Sequence, residues 1–103
     1  MLLYNITTKI DHQSHAEWLK WMEHAYLPHI MECGALENFK LARLKGVDET
    51  DGVTYALQLS MANMATFQVY QQKYALAHQT MHDTRYKDHF VSFRSVLDVV
   101  VEG

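Results

Sequence analysis

The sequence has one cysteine, Cys33, so no disulfide can close within the chain. That usage suits a reducing compartment. Basic residues are in deficit, nine Lys and Arg against twelve Asp and Glu, for a formal net charge of −3. No Lys/Arg run exists to track a phosphate backbone, which argues against a nucleic-acid partner. No apolar run approaches the ~20 residues needed to cross a bilayer. The first residues do not place a basic segment before an apolar one, so no signal peptide is visible and a cytoplasmic location is expected. HExxH, CxxC and clustered carboxylates are all missing, so neither a resident metal nor a cofactor is expected. No repeat, linker or low-complexity tract interrupts the chain, and its one proline is Pro28.

What is present describes one domain, residues 1–103, with 49% hydrophobic and 20% charged residues. A chain of this size buries roughly 60–70% of its unfolded surface, enough for one core without staples. Leu2–Ile10 alternates, with Leu2, Tyr4, Ile6, Thr8 and Ile10 on one face, which predicts a strand. Asp11 or Ser14 can cap the helix after it, and Glu17 stands three residues after Ser14. The stripe of this first helix is Leu19, Met22, Tyr26, Ile30 and Cys33, flanked by Trp18 and His29. Pro28 predicts a kink or break near Ala25–Leu27, and Gly34 a left-handed stop. Ala35–Lys45 and Val53–Met61 read as two strands joined through the turn Asp48–Gly52. A second helix, capped by Asn63, carries Phe67, Tyr70, Tyr74, Ala77 and Met81 and ends around Arg85–Asp88. Phe90–Val101 forms the last strand, with Val91, Phe93, Leu97, Val99 and Val101 toward the helices.

The order β-α-β-β-α-β with right-handed crossovers predicts an α+β, ferredoxin-like fold: a four-stranded antiparallel sheet with both helices on one face. The other face would show Leu3, Phe90, Val96 and Val100 among Asn5, Thr7, Ala42, Thr54, Ala56, Gln58, Ser60, Ser92 and Arg94. That mixture is too apolar for bare solvent. A homodimer through this uncovered sheet face is therefore expected, two sheets packing across a two-fold axis. Arg94 would then pair with Asp98 or with a carboxylate of the partner copy.

Several pieces in this order resemble the dimeric α+β barrel superfamily, and more closely a bacterial family of short uncharacterised proteins, domain of unknown function 4286. They are Tyr4-Asn5-Ile6-Thr7, Trp18-Leu19-Lys20-Trp21-Met22, Leu27-Pro28, Thr54-Tyr55, and Phe90-Val91-Ser92-Phe93-Arg94 with Leu97. The resemblance runs over nearly the whole chain and implies the fold and the dimer. The wider superfamily holds cofactor-independent monooxygenases, haem-degrading enzymes, isomerases and ligand-binding regulators, and fold alone does not choose among them.

Seven histidines stand in the chain, and histidine is the side chain most easily poised near neutral pH. His78 and His82 lie four apart on the second helix, with Asp83 and His89 nearby, a loose spacing set against a full metal motif. Surface or boundary imidazoles are the plainer account of that pair. His24, Tyr26 and His29 surround Pro28, where His29 can act as a general acid/base or bond a freed carbonyl. Buried phenols want partners, so Tyr70 and Tyr74 can line a cavity.

These residues define a candidate pocket between helices and sheet, lined by Trp18, Tyr26, His29, Tyr70, Tyr74 and His78, with His29, Tyr26 and His78 as catalytic candidates. Two functions stand side by side. One is a small-molecule-binding protein or a cofactor-independent, monooxygenase-like enzyme, for which a pocket below roughly 300 Å³ would count against. The other is a non-catalytic dimerisation module with a filled core. A haem-binding or haem-degrading protein is a lesser possibility implied by the resemblance, with Asn5 and His78 in the relatives' positions and Phe67 and Tyr70 where the relatives carry Trp.

Overall fold

The computed structural model describes all residues, Met1–Gly103. Strands β1 (Leu2–Ile10), β2 (Asn38–Arg43), β3 (Val53–Met61) and β4 (Phe90–Asp98) alternate with two helices in the order β-α-β-β-α-β. Helix α1 is continuous through α-helical His12–Trp21, π-helical Met22–Tyr26 and α-helical Leu27–Met31. Helix α2 repeats the plan with Met64–Tyr70, π-helical Gln71–Ala75 and Leu76–Arg85. The sheet order is β2-β3-β1-β4 and every pairing is antiparallel. The fold is the expected ferredoxin-like one.

Local chemistry sets the helix ends. The Asp11 carboxylate accepts from the Ser14 N–H at 2.8 Å, so Asp11 is the cap of α1 and Ser14 is not. Asn63 does the same for α2, accepting from the Thr66 N–H at 2.9 Å. Gly34 lies just past α1 at φ +79°, a left-handed stop that needs no Cβ.

Pro28 does not break α1 as expected. It sits at the start of the Leu27–Met31 segment, and the turn before it widens into the π-helix, where the Leu27 N–H reaches back five residues to the Met22 carbonyl. The extra residue relieves the clash a proline ring makes with the carbonyl four residues earlier.

The π-helical turn of α2 has a larger effect. One added residue rotates everything after it by about 100°, one residue's worth of helix. The buried stripe therefore runs Phe67, Tyr70, His78, His82 and Tyr86, while Ala77 and Met81 turn outward. His78 and His82 are each only 7% exposed and are core residues, not surface imidazoles. On α1 the buried positions are Trp18, Met22, Tyr26, Leu27 and Ile30. They pack with Leu2, Ile10, Val53, Leu59 and Met61 of the sheet into one core.

The last strand faces the opposite way from the expectation. Ile6 pairs with Arg94, and Thr8 with Ser92, across β1 and β4. Residues paired across a ladder share a face, so Phe90, Ser92, Arg94 and Val96 lie toward the helices. Val91, Phe93, Ser95 and Leu97 lie on the uncovered face with Leu3, Asn5 and Thr7. Both faces of this strand are apolar, so period-two alternation alone leaves its parity open.

Candidate functional site

Between the helices and the sheet lie two small cavities that share Ile6, Tyr26 and Arg94. The first, about 20 Å³, is lined by Trp18, Met22 and Tyr26 of α1, His82 of α2, and Ile6, Thr8, Leu41, Tyr55, Leu57, Ser92 and Arg94 of the sheet. The second, about 10 Å³, is bounded by Tyr4, Ile6, Leu59 and Arg94 below and Tyr26, Tyr70, Ala75, His78 and Gln79 above. Each has room for about one water. Both are far below the roughly 300 Å³ of a ligand pocket, so the space between helices and sheet is a nearly closed cleft.

Two hydrogen-bonded groups hold its roof. The Trp18 indole N–H donates to His82 Nε2 at 2.9 Å, and His82 Nδ1 lies 2.9 Å from Asp83 Oδ1. An indole only donates, so Nε2 is the acceptor and the proton sits on Nδ1, facing the carboxylate. Burial holds His82 below the usual imidazole range, against the opposing pull of Asp83. In the second group the Tyr26 hydroxyl donates to the His78 carbonyl at 3.0 Å, tying α1 to α2. The Tyr70 hydroxyl lies 2.8 Å from His78 Nδ1. Burial lowers the His78 pKa and raises those of Tyr26 and Tyr70 far above the usual phenol range. These four tyrosine and histidine side chains of the roof are therefore held neutral.

Of the expected lining residues, Trp18 borders the first cavity, Tyr70 and His78 the second, and Tyr26 both. Tyr74 stacks on His78 with ring centres 6.2 Å apart but reaches neither cavity. His29 stands outside. It is exposed, its Nδ1 is 3.8 Å from a Glu32 oxygen, and its ring centre is 6.1 Å from that of His78. Turning away at the helix surface, it does not serve the cleft. His78 and His82 come one turn apart, but no third His, Cys, Asp or Glu joins them to form a metal-holding group.

The residues of the cleft that were not expected there include the polar Thr8, His82, Ser92 and Arg94. The signal for Ser92 and Arg94 is two alternate polar residues on one face of a largely apolar strand. Arg94 does not meet Asp98 as expected. Arg43 pairs with Glu49 at 2.7 Å and Arg85 with Glu17 at 2.6 Å, but no carboxylate lies within ion-pair reach of Arg94. Its cation pulls back on the burial-raised pKa of Tyr4 and also on those of Tyr26 and Tyr70.

Comparison with solved structures places the chain among ferredoxin-like α+β proteins. A dimeric ferredoxin-like protein from an uncultured marine organism superposes with a TM-score of 0.68 at 13% identity, covering 100% of this chain and 98% of that one. SnoaB, a cofactor-independent oxygenase from Streptomyces nogalater, gives 0.66 at 12% identity, covering 98% and 95%. MhuD, with two manganese protoporphyrin IX bound per active site, gives 0.72 at 15% identity, covering 100% and 98%. At these identities the likeness establishes the fold alone. The chain belongs to the family described as Domain of unknown function (DUF4286), whose model matches residues 1–100. No curated protein matches the sequence. No helix is long and apolar enough to cross a membrane.

Proposed function

We propose that this protein works as a homodimer whose two sheets pack face to face, and that the helix–sheet cleft of each protomer is a binding site for a small molecule. The observation that carries this reading is the division of β4 between two surfaces. Outward, Val91 is 67% exposed, Phe93 63% and Leu97 43%, an apolar row interrupted only by Ser95 on the face that no helix covers. Inward, the same strand sends Ser92 and Arg94 into the cleft. Exposed apolar rows of this kind mark association surfaces, and the dimeric ferredoxin-like neighbour shares the architecture.

Fully burying such a side chain is worth about 1.5–3 kcal/mol. Phe93 has about two-thirds of that still to gain, and two-fold symmetry counts it twice. Phe93→Asp therefore weakens the dimer by about 2–4 kcal/mol, roughly thirty- to a thousand-fold in dissociation constant. Light scattering on a sizing column is expected to give twice the 12.0 kDa protomer mass for the wild type at micromolar concentration and the protomer mass for the variant. A wild type at 12.0 kDa throughout that range overturns the dimer.

The water-sized cavities favour a second reading, in which the dimer stands and the core is simply filled. They weigh against a monooxygenase-like reaction in the closed state. There the Trp18 N–H occupies the free lone pair of His82, the Tyr26 proton is spent on a carbonyl, and His29 lies outside. Titration with small carboxylate and amide probes separates the two readings, since a filled core takes up neither.

A further inference from the structure

We infer that Arg94 is an anion anchor, and that the helix–sheet cleft takes a small organic carboxylate whose two oxygens pair with the guanidinium while its apolar body lies against Trp18, Met22 and Tyr26. The inference rests on the cleft being a binding site and names the chemistry it selects.

Three observations support it. The chain has three arginines, and the other two are satisfied by carboxylates at the surface. Arg94 alone has none, although it is half-buried and lines both cavities, where a cation gains from a paired anion. Its surroundings are all neutral: burial keeps the Tyr4, Tyr26 and Tyr70 phenols protonated and the His78 and His82 imidazoles uncharged. The one acid beside this group, Asp83, is engaged with His82 Nδ1. The cleft therefore holds a half-buried positive charge with no carboxylate against it.

Geometry narrows the anion. Both cavities are lined by Arg94 and are water-sized as they stand, so the proposed ligand enters only with a rotation of that long side chain that opens them into one space. Most of the lining is hydrocarbon or aromatic, and Thr8 and Ser92 add hydroxyls to the cavity that Arg94 lines. A planar guanidinium matches a planar carboxylate through two parallel hydrogen bonds. A phosphate would bring a second charge and a third polar edge against walls that are mostly hydrocarbon. A partner copy docked on the uncovered face cannot supply the anion, because Arg94 lies on the opposite side of the sheet.

The test uses benzoate and its neutral counterpart benzamide as probes. Each is titrated by calorimetry into the wild type, Arg94→Met, Arg94→Lys and the surface control Lys73→Met, with melting temperatures in parallel. Benzoate is expected to bind the wild type and Lys73→Met saturably, and Arg94→Met about tenfold or more weakly, as loss of a charge-assisted pair implies. Arg94→Lys falls between them, keeping the charge without the fork. Benzamide binds weakly and equally to all four. Without ligand, Arg94→Met melts no lower than the wild type, since an unpaired cation gives way to a hydrophobe.

Equal binding of both probes that survives in Arg94→Met overturns the carboxylate assignment and leaves the cleft as a site. No binding of either probe by the wild type up to the solubility limit overturns the assignment and the cleft reading together. A lower melting temperature for ligand-free Arg94→Met makes the guanidinium a structural group and also overturns it.

Discussion

Replacing Trp18 with Phe removes one hydrogen bond and part of one ring from the centre of the core. Trp18 is 1% exposed and its indole N–H is the donor to His82 Nε2 at 2.9 Å. The variant leaves a buried imidazole nitrogen unpaired, at about 1–3 kcal/mol, and the lost ring volume adds about 1 kcal/mol more. A loss near 3 kcal/mol lowers the melting temperature by roughly 15 °C in a domain of this size. The pH dependence is the sharper test. Below about pH 6.5 the histidines of the unfolded chain take up protons, while burial holds His82 neutral in the fold. His82 therefore contributes its stability in full above that pH and loses it as pH falls toward the folded-state pKa, by about 1.4 kcal/mol per pH unit within that window. In the wild type a protonated Nε2 would point its hydrogen at the Trp18 N–H. In Trp18→Phe that clash is gone, a water can enter from the adjacent cavity, and Asp83 already receives the Nδ1 proton. His82 of the variant then protonates more readily, so the variant loses less stability in acid. Urea unfolding followed by circular dichroism at about pH 7.5 and about pH 5.5 should show the gap between the two proteins shrinking. A gap that stays constant or widens refutes the assigned hydrogen bond.

Gly52 is the tightest glycine in the fold. A Cβ there would strike the Ile10 carbonyl at the end of β1, so Gly52→Ala should cost about 1–3 kcal/mol and appear as a lower melting temperature, whereas an unchanged value would mean that the β1–β3 end is slack. Haemin should leave its Soret band unshifted on addition of the protein. Asn5 lies on the uncovered face and bonds Thr7 Oγ1 at 3.1 Å, on the opposite side of the sheet from His78, so the two cannot face one macrocycle. A stoichiometric shift lost in His78→Ala would reverse that conclusion.

The element order, the antiparallel sheet and the core face of β1 and β3 were legible because each strand there has one apolar and one more polar face. The aromatic part of the cleft was legible too, since Trp18, Tyr26 and Tyr70 lie in or beside the apolar stripes that helical spacing draws. What was not legible stems from the π-helical turns. A pattern read at 3.6 residues per turn puts Ala77 and Met81 inside. One extra residue in Gln71–Ala75 puts His78 and His82 there instead. No proline marks this second insertion, and apolar spacing does not report it. His82 escaped the pocket for that reason, and with it the Trp18–His82–Asp83 arrangement, in which the indole and the imidazole that meet are 64 residues apart.

The parity of β4 carries a different lesson. Taken alone, the row Val91, Phe93 and Leu97 is greasier than the row Phe90, Ser92, Arg94 and Val96, and hydrophobicity would send the first row inward. Pairing with β1 sends it outward, because Ile6, the centre of the inward face of β1, stands opposite Arg94. A strand that keeps its more apolar side away from its own core bears a cost in water that a lone protomer never recovers. The same strand turns a half-buried arginine toward the cleft with no carboxylate to meet it. On the proposed reading both are offset by something outside the chain, a second copy on one side and an anion on the other. The two expectations can fail separately: Phe93→Asp acts on the first face and leaves the cleft intact, and Arg94→Met acts on the cleft and leaves the outer row intact. If either substitution disturbed both association and ligand binding, the sheet would be transmitting one event to the other, and the assignment of one role to each face of β4 would have to be given up.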